Sequence, residues 1–303
     1  NHEISIFLSD INHKFSFLFP DLKKKIFSIN LSILEKLRIF FYLFLNNIDE
    51  VYILTPKNFY YYLPFFFKKI KFYGITIKAK KGRPNNFLRN YLYKTVEIDR
   101  ININKRKSSY IIQEELISTE SNINYLKKDS VTTHNFKYPN KFIIFHYKRN
   151  LFEKLLNWDL KKIIKFIEFL ASKHQYILFS SEFKDTSINN YFLKQFNTYD
   201  YDASEEYIIN DKNIIFLKNI DGYDLFDVIS KSNKIIAPEG IITHIGYFLK
   251  KPILALLHFN LRNREDFINQ IISCKEWFPP NNYNYSVLKK DFDQTLKKLN
   301  KRV

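Results

Sequence analysis

Five short apolar runs in the second half of the chain constrain its fold more than anything else in it. They are KFIIFHY (141–147), QYILFSS (175–181), NIIFLK (213–218), KIIAP (234–238) and PILALL (252–257). Each is rich in β-branched and aromatic residues and apolar at consecutive positions, as expected of a strand covered on both faces. Between them lie segments with apolar residues at helical spacing: NWDLKKIIKFIEFLASK (157–173), DTSINNYFLKQF (185–196), DLFDVISKS (224–232) and THIGYFLK (243–250). Strands that alternate with helices form βαβ units, and βαβ units form a parallel sheet. The segment SVLKKDFDQTLKKLNK (286–301) predicts a closing basic amphipathic helix.

The first half alternates too, with less contrast. ISIFL (4–8), VYILT (51–55) and GITIKA (74–79) read as strands. Residues 21–46 carry apolar positions at helical spacing and predict one or two helices. NFYYYLPFFFKKI (58–70) predicts a short helix interrupted by Pro64, and residues 85–101 predict another helix. The polar stretch 118–140 is the linker candidate. The expected organisation is one domain over 1–135, a second over 136–285 and a C-terminal helix over 286–303. The fold class is α/β, with two Rossmann-like parallel-sheet domains facing across a cleft.

Composition narrows the function classes. The chain has 303 residues, is 46% hydrophobic and carries a net charge of +17. It can bury large cores, and it should attract anions: nucleotide phosphates, nucleic acid or an acidic membrane face. A single cysteine, Cys274, excludes an intramolecular disulfide framework and a four-cysteine zinc site. No uncharged apolar run reaches the roughly 18 residues a membrane span needs. No segment has the form of a secretory signal, so a cytoplasmic location is expected.

In a parallel sheet, ligands bind beyond the carboxyl ends of the strands. Pro238, Glu239 and Gly240 stand at such an end, before an apolar helix. Gly240 permits a sharp turn and close approach, and the helix start attracts phosphate. Glu239 there suits sugar hydroxyls, or alternatively caps the helix. Strand 141–147 ends in His146, followed by Lys148 and Arg149, which suit a diphosphate or form a solvated basic loop. Ser180, Ser181 and Glu182 end another strand and would touch a base or ribose, or cap the next helix.

The segment IIAPEGIITHIGYFLKKPILALL (235–257) resembles the donor-site signature of bacterial GT-B glycosyltransferases, most of all the ADP-heptose–lipopolysaccharide heptosyltransferase family. That family has Asp-Thr-Gly after the strand and a His five residues beyond the Asp. Here Glu239 takes the Asp place and His244 lies five residues on, with Lys251-Pro252 following in register. GYDLFDVISKSNKIIAP (222–238) resembles the preceding helix and strand of the family. Gly240 and Ile241 depart from its Thr and Gly.

The resemblance implies an inverting, metal-independent transferase in cell-surface glycan synthesis of the lipopolysaccharide or capsule type, working at a bacterial inner membrane. No cofactor beyond a nucleotide-sugar co-substrate is implied. His146, Lys148, Arg149, Ser181, Glu182, Pro238, Glu239, Gly240, Thr243 and His244 would bind the donor. The catalytic base would come from the loop after the first strand, as Asp10 or His13. The acceptor would be a saccharide or glycolipid. The aromatic and basic stretch 58–83 suits an anionic membrane interface or the core of the first domain. Nucleic acid is not an expected partner. Alternatives are a nucleotide-sugar epimerase or pyruvyl transferase of the same architecture, or a basic nucleic-acid-binding protein.

Overall fold

A computed structural model describes residues 4–9, 22–27, 30–54, 58–78, 88–100, 102, 107–117, 138–181, 199–200, 213–218, 220, 222–259, 270, 274, 276–278 and 283–303. The chain divides into two compact units, residues 1–123 with 261–280 and residues 124–260 with 281–303.

The first unit is built from strands β1 (Ser5–Ser9), β2 (Lys23–Phe27), β3 (Glu50–Ile53), β4 (Lys71–Lys78) and β5 (Lys94–Asp99). Its helices are α1 (Ile33–Leu45), α2 (Asn58–Phe66) and α3 (Ser109–Ile117). Among the described residues, β1 pairs with β2, and β3, β4 and β5 pair in that order, all parallel. Ile39 and Leu43 of α1 pack with Ile53, Tyr61, Leu63 and Phe72 in one core. Ile75, Ile77, Ile98, Ile112 and Leu116 form a second, between α3 and the β4–β5 pair. Residues 276–278 are tied to this unit. Glu276 is buried and takes a two-pronged bond from Arg100, at 2.5 and 3.1 Å, while Ser108 donates to the Phe278 carbonyl at 2.7 Å.

The second unit holds β6 (Ile143–Tyr147), β7 (Ile177–Ser181), β8 (Tyr199–Asp200), β9 (Ile214–Lys218), β10 (Lys234–Pro238), β11 (Ile253–Leu257) and β12 (Tyr283–Val287). Its helices are α4 (Leu160–Ala171), α5 (Gly222–Lys231), α6 (Ile241–Phe248) and α7 (Phe292–Leu299). Among the described residues, its seven strands form one parallel sheet in the order β12-β11-β10-β6-β7-β9-β8. From β6 the chain builds outward through β7 to the edge strand β8, steps back to β9 between them, crosses β6 to β10, then continues outward through β11 and β12. The reversal lies between β6 and β10. Rings of Phe145, Tyr147, Phe152, Trp158, Phe166 and Phe179 fill the core under α4. Asp159 caps α4 by accepting from the Lys162 amide at 2.8 Å.

Four sequence expectations are corrected. Residues 23–27, predicted helical, form β2, because their backbone pairs with β1; the helix begins only after Ser32, whose capping box with Glu35 sets its start. Residues 94–99 form β5 rather than helix; Thr95 and Val96 are β-branched and pair with Gly74 and Ile75 of β4. The closing helix is shorter than expected: Tyr283–Val287 is β12, completing the sheet edge beside β11, and α7 starts after its cap Asp291. Pro64 does not interrupt α2, which runs through it. The proline lies near the C-terminal end, where the amide it lacks removes one bond to the preceding turn. Expectations for 185–196 and for most of the linker lie outside the described residues.

Candidate functional site

Strand order decides where a ligand can sit. Beyond the carboxyl ends of the strands flanking a reversal, the connections leave in opposite directions and open a crevice. Here the flanking strands are β6 and β10, paired through Ile143 with Lys234, Ile144 with Ile235 and Phe145 with Ile236. Their ends carry His146-Tyr147-Lys148-Arg149 and Pro238-Glu239-Gly240. The structure brings these two stretches together: Lys148 Nζ donates to the Glu239 carbonyl at 3.4 Å.

Alternation along β6 sorts its side chains. Tyr147 turns into the aromatic core, whereas His146 lies on the other face, opposite Ser180 of β7. His146 Nδ1 and Ser180 Oγ are 3.0 Å apart. Removal of water around the ring, reinforced by the Lys148 charge, pushes the His146 pKa down to about 3. The imidazole is therefore neutral at physiological pH and can donate or accept a hydrogen bond without adding charge.

Beyond the strand the chain enters a π-helical turn, Asn150–Leu155. This turn presents Glu153 to two groups. The Tyr147 hydroxyl donates to one carboxylate oxygen, and Arg149 Nε donates to the other at 2.9 Å. Tyr147 is fully buried, while the Arg149 side chain is 53% exposed. Glu153 thus holds Arg149 by Nε beside the sheet end.

On β10, Pro238 is buried and aligned with Leu256, and Glu239 follows it into the open. Gly240 has φ 158° and ψ −164°, a backbone region essentially confined to glycine. Thr243 is fully buried, and its hydroxyl donates to the Gly240 carbonyl at 2.7 Å while accepting from the Gly240 amide at 3.3 Å. Its role in this geometry is to close the turn that starts α6. His244 Nε2 stands 3.6 Å from Glu239 Oε1, longer than a good hydrogen bond. The neighbouring His244, and more weakly Lys148, hold the Glu239 carboxyl below the ordinary carboxylate range, against the opposing effect of burial. Gly246 lets α6 lie close on the sheet: a Cβ there would come within 2.2 Å of Ile235 Cδ1.

One edge therefore gathers a neutral imidazole, a lysine, an arginine, a carboxylate, a second histidine and a helix start whose first amides precede intrahelical bonding. Cations and amides suit a diphosphate; the carboxylate and imidazoles suit hydroxyls. Ser181 is buried in register with Tyr147, on the opposite alternation from Ser180. Asp10, His13 and Glu182 lie outside the described residues. Sequence reasoning named Ser180 at its strand end but did not select Glu153. The signal for Glu153 was available: it stands four residues after Arg149, helical ion-pair spacing. The partner of Ser180 was not readable, because cross-strand register cannot be known before the pairing is. Among the described residues no three His, Cys, Asp or Glu side chains gather as a metal-binding group.

No protein-family profile matches the chain, and no curated protein matches it in sequence. Solved structures do match in shape. The glycosyl transferase family 9 protein of Veillonella parvula is 13% identical, with 99% of this chain and 81% of that one covered and a TM-score of 0.57. The Escherichia coli heptosyltransferase WaaC with ADP is 10% identical, with 98% and 88% covered and a TM-score of 0.63. The UDP-GlcNAc 2-epimerase of Methanocaldococcus jannaschii is 11% identical, with 98% and 84% covered and a TM-score of 0.51. At these identities the likeness shows the fold: α/β, GT-B, two Rossmann-like units.

Proposed function

We propose that this chain is a glycosyltransferase that takes a sugar from a nucleotide-sugar donor held at the β6–β10 edge. The observation that carries the reading is the contact between the two strand ends, with Lys148 Nζ on the Glu239 carbonyl at 3.4 Å, where the strand order reverses between β6 and β10. Likeness in fold to heptosyltransferases, one of them with ADP, supports it.

In this reading Lys148, Arg149 and the amides of α6 offset the donor diphosphate. As the glycosidic bond breaks, the leaving nucleoside diphosphate gains negative charge, and a guanidinium already held by Glu153 stabilises it without reorganising. Glu239 accepts from sugar hydroxyls, and His244 bonds a phosphate oxygen. His146, being neutral, orients a polar group of the donor. The transfer inverts the anomeric centre and uses no metal. Asp10 or His13 takes the proton from the acceptor hydroxyl as it attacks. The acceptor is a saccharide or a lipid-linked glycan of the cell surface.

Thermal unfolding of the full chain against ADP-, UDP-, GDP- and CDP-sugars tests the reading. One nucleotide class should stabilise the protein, by mass action on the folded state. Glu239→Ala and Arg149→Ala should each weaken that stabilisation; if both retain it in full, the site is elsewhere. The epimerase reading has one observation in its favour, the likeness to the Methanocaldococcus jannaschii enzyme. Incubation with donor alone separates the two, since an epimerase changes the sugar without an acceptor.

A further inference from the structure

Among the described residues, helix α1 exposes an apolar face turned away from the core. Ile33, Leu34, Leu37, Phe41, Phe44 and Leu45 are each between 46% and 76% exposed. They recur at steps of three and four residues, so they line one side of the helix. Ile39 and Leu43, on another side, supply the contact with the core. The face does not stop at α1. Phe40 packs on Phe41 and on Phe66 of α2, with centroids 6.2 and 5.7 Å apart. Phe65 then packs on Phe66 and on Tyr91, at 5.4 and 5.6 Å. Phe65, Phe66 and Tyr91 are themselves exposed. The result is one continuous apolar surface on the first unit.

Its charge is one-sided. Residues 36–48 and 58–71 contain no Asp or Glu, but they contain Lys36, Arg38, Lys68, Lys69 and Lys71. Arg38, Lys68, Lys69 and Lys71 are exposed. The Glu35 carboxylate at the start of α1 is taken up by the capping box, accepting from the Ser32 amide at 2.8 Å. Monomeric proteins rarely leave so long an apolar surface open, and such a surface marks a docking site. A second copy of the same face would bring its cations against their own kind. Apolar and aromatic side chains beside lysines and arginines match the interface of an anionic bilayer, where the rings enter the acyl boundary and the cations meet the headgroups.

We propose that the α1 face, extended by the end of α2, docks this protein on an anionic lipid surface. The inference stands on the first unit alone. It gives the reading of a lipid-linked acceptor a place of work, and its test involves no nucleotide, so either reading can fail without the other.

The test is flotation of the full chain with vesicles of phosphatidylcholine alone or mixed with phosphatidylglycerol. The chain should float with the mixed vesicles, and binding should fall as salt is raised. Leu37→Ser/Phe41→Ser/Phe44→Ser should remove about nine-tenths or more of the bound fraction while leaving the melting temperature close to that of the parent. Arg38→Gln, Lys68→Gln and Lys69→Gln should each lower partitioning about fivefold on mixed vesicles. Equal binding to both vesicle types overturns the charge argument. Unchanged binding by the triple serine variant overturns the assigned face. Absence of vesicle binding, with a dimer in sedimentation velocity that the same variant converts to monomer, overturns the proposal in favour of self-association.

Discussion

Helices α1 and α4 have nearly the same length, 13 and 12 residues, and both start at a side-chain cap, Ser32 and Asp159. They differ in how their apolar residues are arranged. In α4, Ile163, Phe166, Ile167, Leu170 and Ala171 form one buried stripe, and Lys161 and Lys165 occupy the exposed side. The sheet face and α7 cover this one stripe. In α1 only Ile39 and Leu43 are buried, and six further apolar residues face outward. Apolar content alone therefore does not identify a core helix; its distribution around the axis does. A helix apolar on more than one side requires a partner beyond its own sheet.

The strongest challenge to this comparison is to cut into the stripe of α4. Phe166→Ala removes a fully buried ring that packs on Phe145, Phe152 and Trp158, and should cost about 3–5 kcal/mol in urea unfolding of the second unit. A loss below about 1 kcal/mol would mean that α4 is not the core helix described here.

The next effect concerns pH and the sheet beneath α4. The folded-state pKa of His146 is lowered to about 3 from 6.5, so the unfolded chain takes up the proton first as pH falls. The contribution is complete above pH 6.5 and is lost progressively between there and about 3, at up to about 1.4 kcal/mol per pH unit. His146→Asn should flatten the stability–pH curve in that window. Glu239 acts in the same direction lower down: its carboxyl is held below the ordinary value, so its contribution is present above that range and disappears as pH falls through the folded pKa. Glu239→Gln should remove that lower limb of the curve.

The helix starts should respond alike, because capping depends on local geometry and not on what the helix covers. Ser32→Ala and Asp159→Ala should each cost about 1 kcal/mol, read in the unfolding of the respective unit. The smallest expected effect is Phe41→Ser, within about 0.5 kcal/mol of the parent in urea. A large loss there would show that the outer face of α1 is covered after all.

Much of the second unit was legible. Five of its strands, β6, β7, β9, β10 and β11, are largely apolar runs, and such runs announce burial on both faces without reference to any partner. Asp159 at the start of α4 was legible for the same reason: a cap bonds residues three positions away. The first unit was harder to read. Lys23-Lys24-Lys25 does not look like a strand, and only pairing with β1 makes 23–27 extended. Residues 94–99 follow a segment of helical spacing, and β4 decides their conformation. At the site, the β6 and β10 ends were nameable because glycine, proline and charged residues stand out after apolar runs. Glu153 was not selected, and the pairing of Ser180 with His146 was not readable, since it rests on cross-strand register. The tie of Glu276 to Arg100 joins positions 176 residues apart, and no local signal marks it.

The sequence by itself determined the α/β class, the identity of most strands in the second unit and the two charged strand ends, because side-chain periodicity and backbone propensity act over a few neighbouring residues. Only the tertiary structure decided that those two ends lie side by side at a reversal of strand order, that His146 is neutral there, and that one face of α1 is left open. Those outcomes depend on which strands pair, which groups lose their water and which surfaces find a partner, and each of these couples residues far apart along the chain.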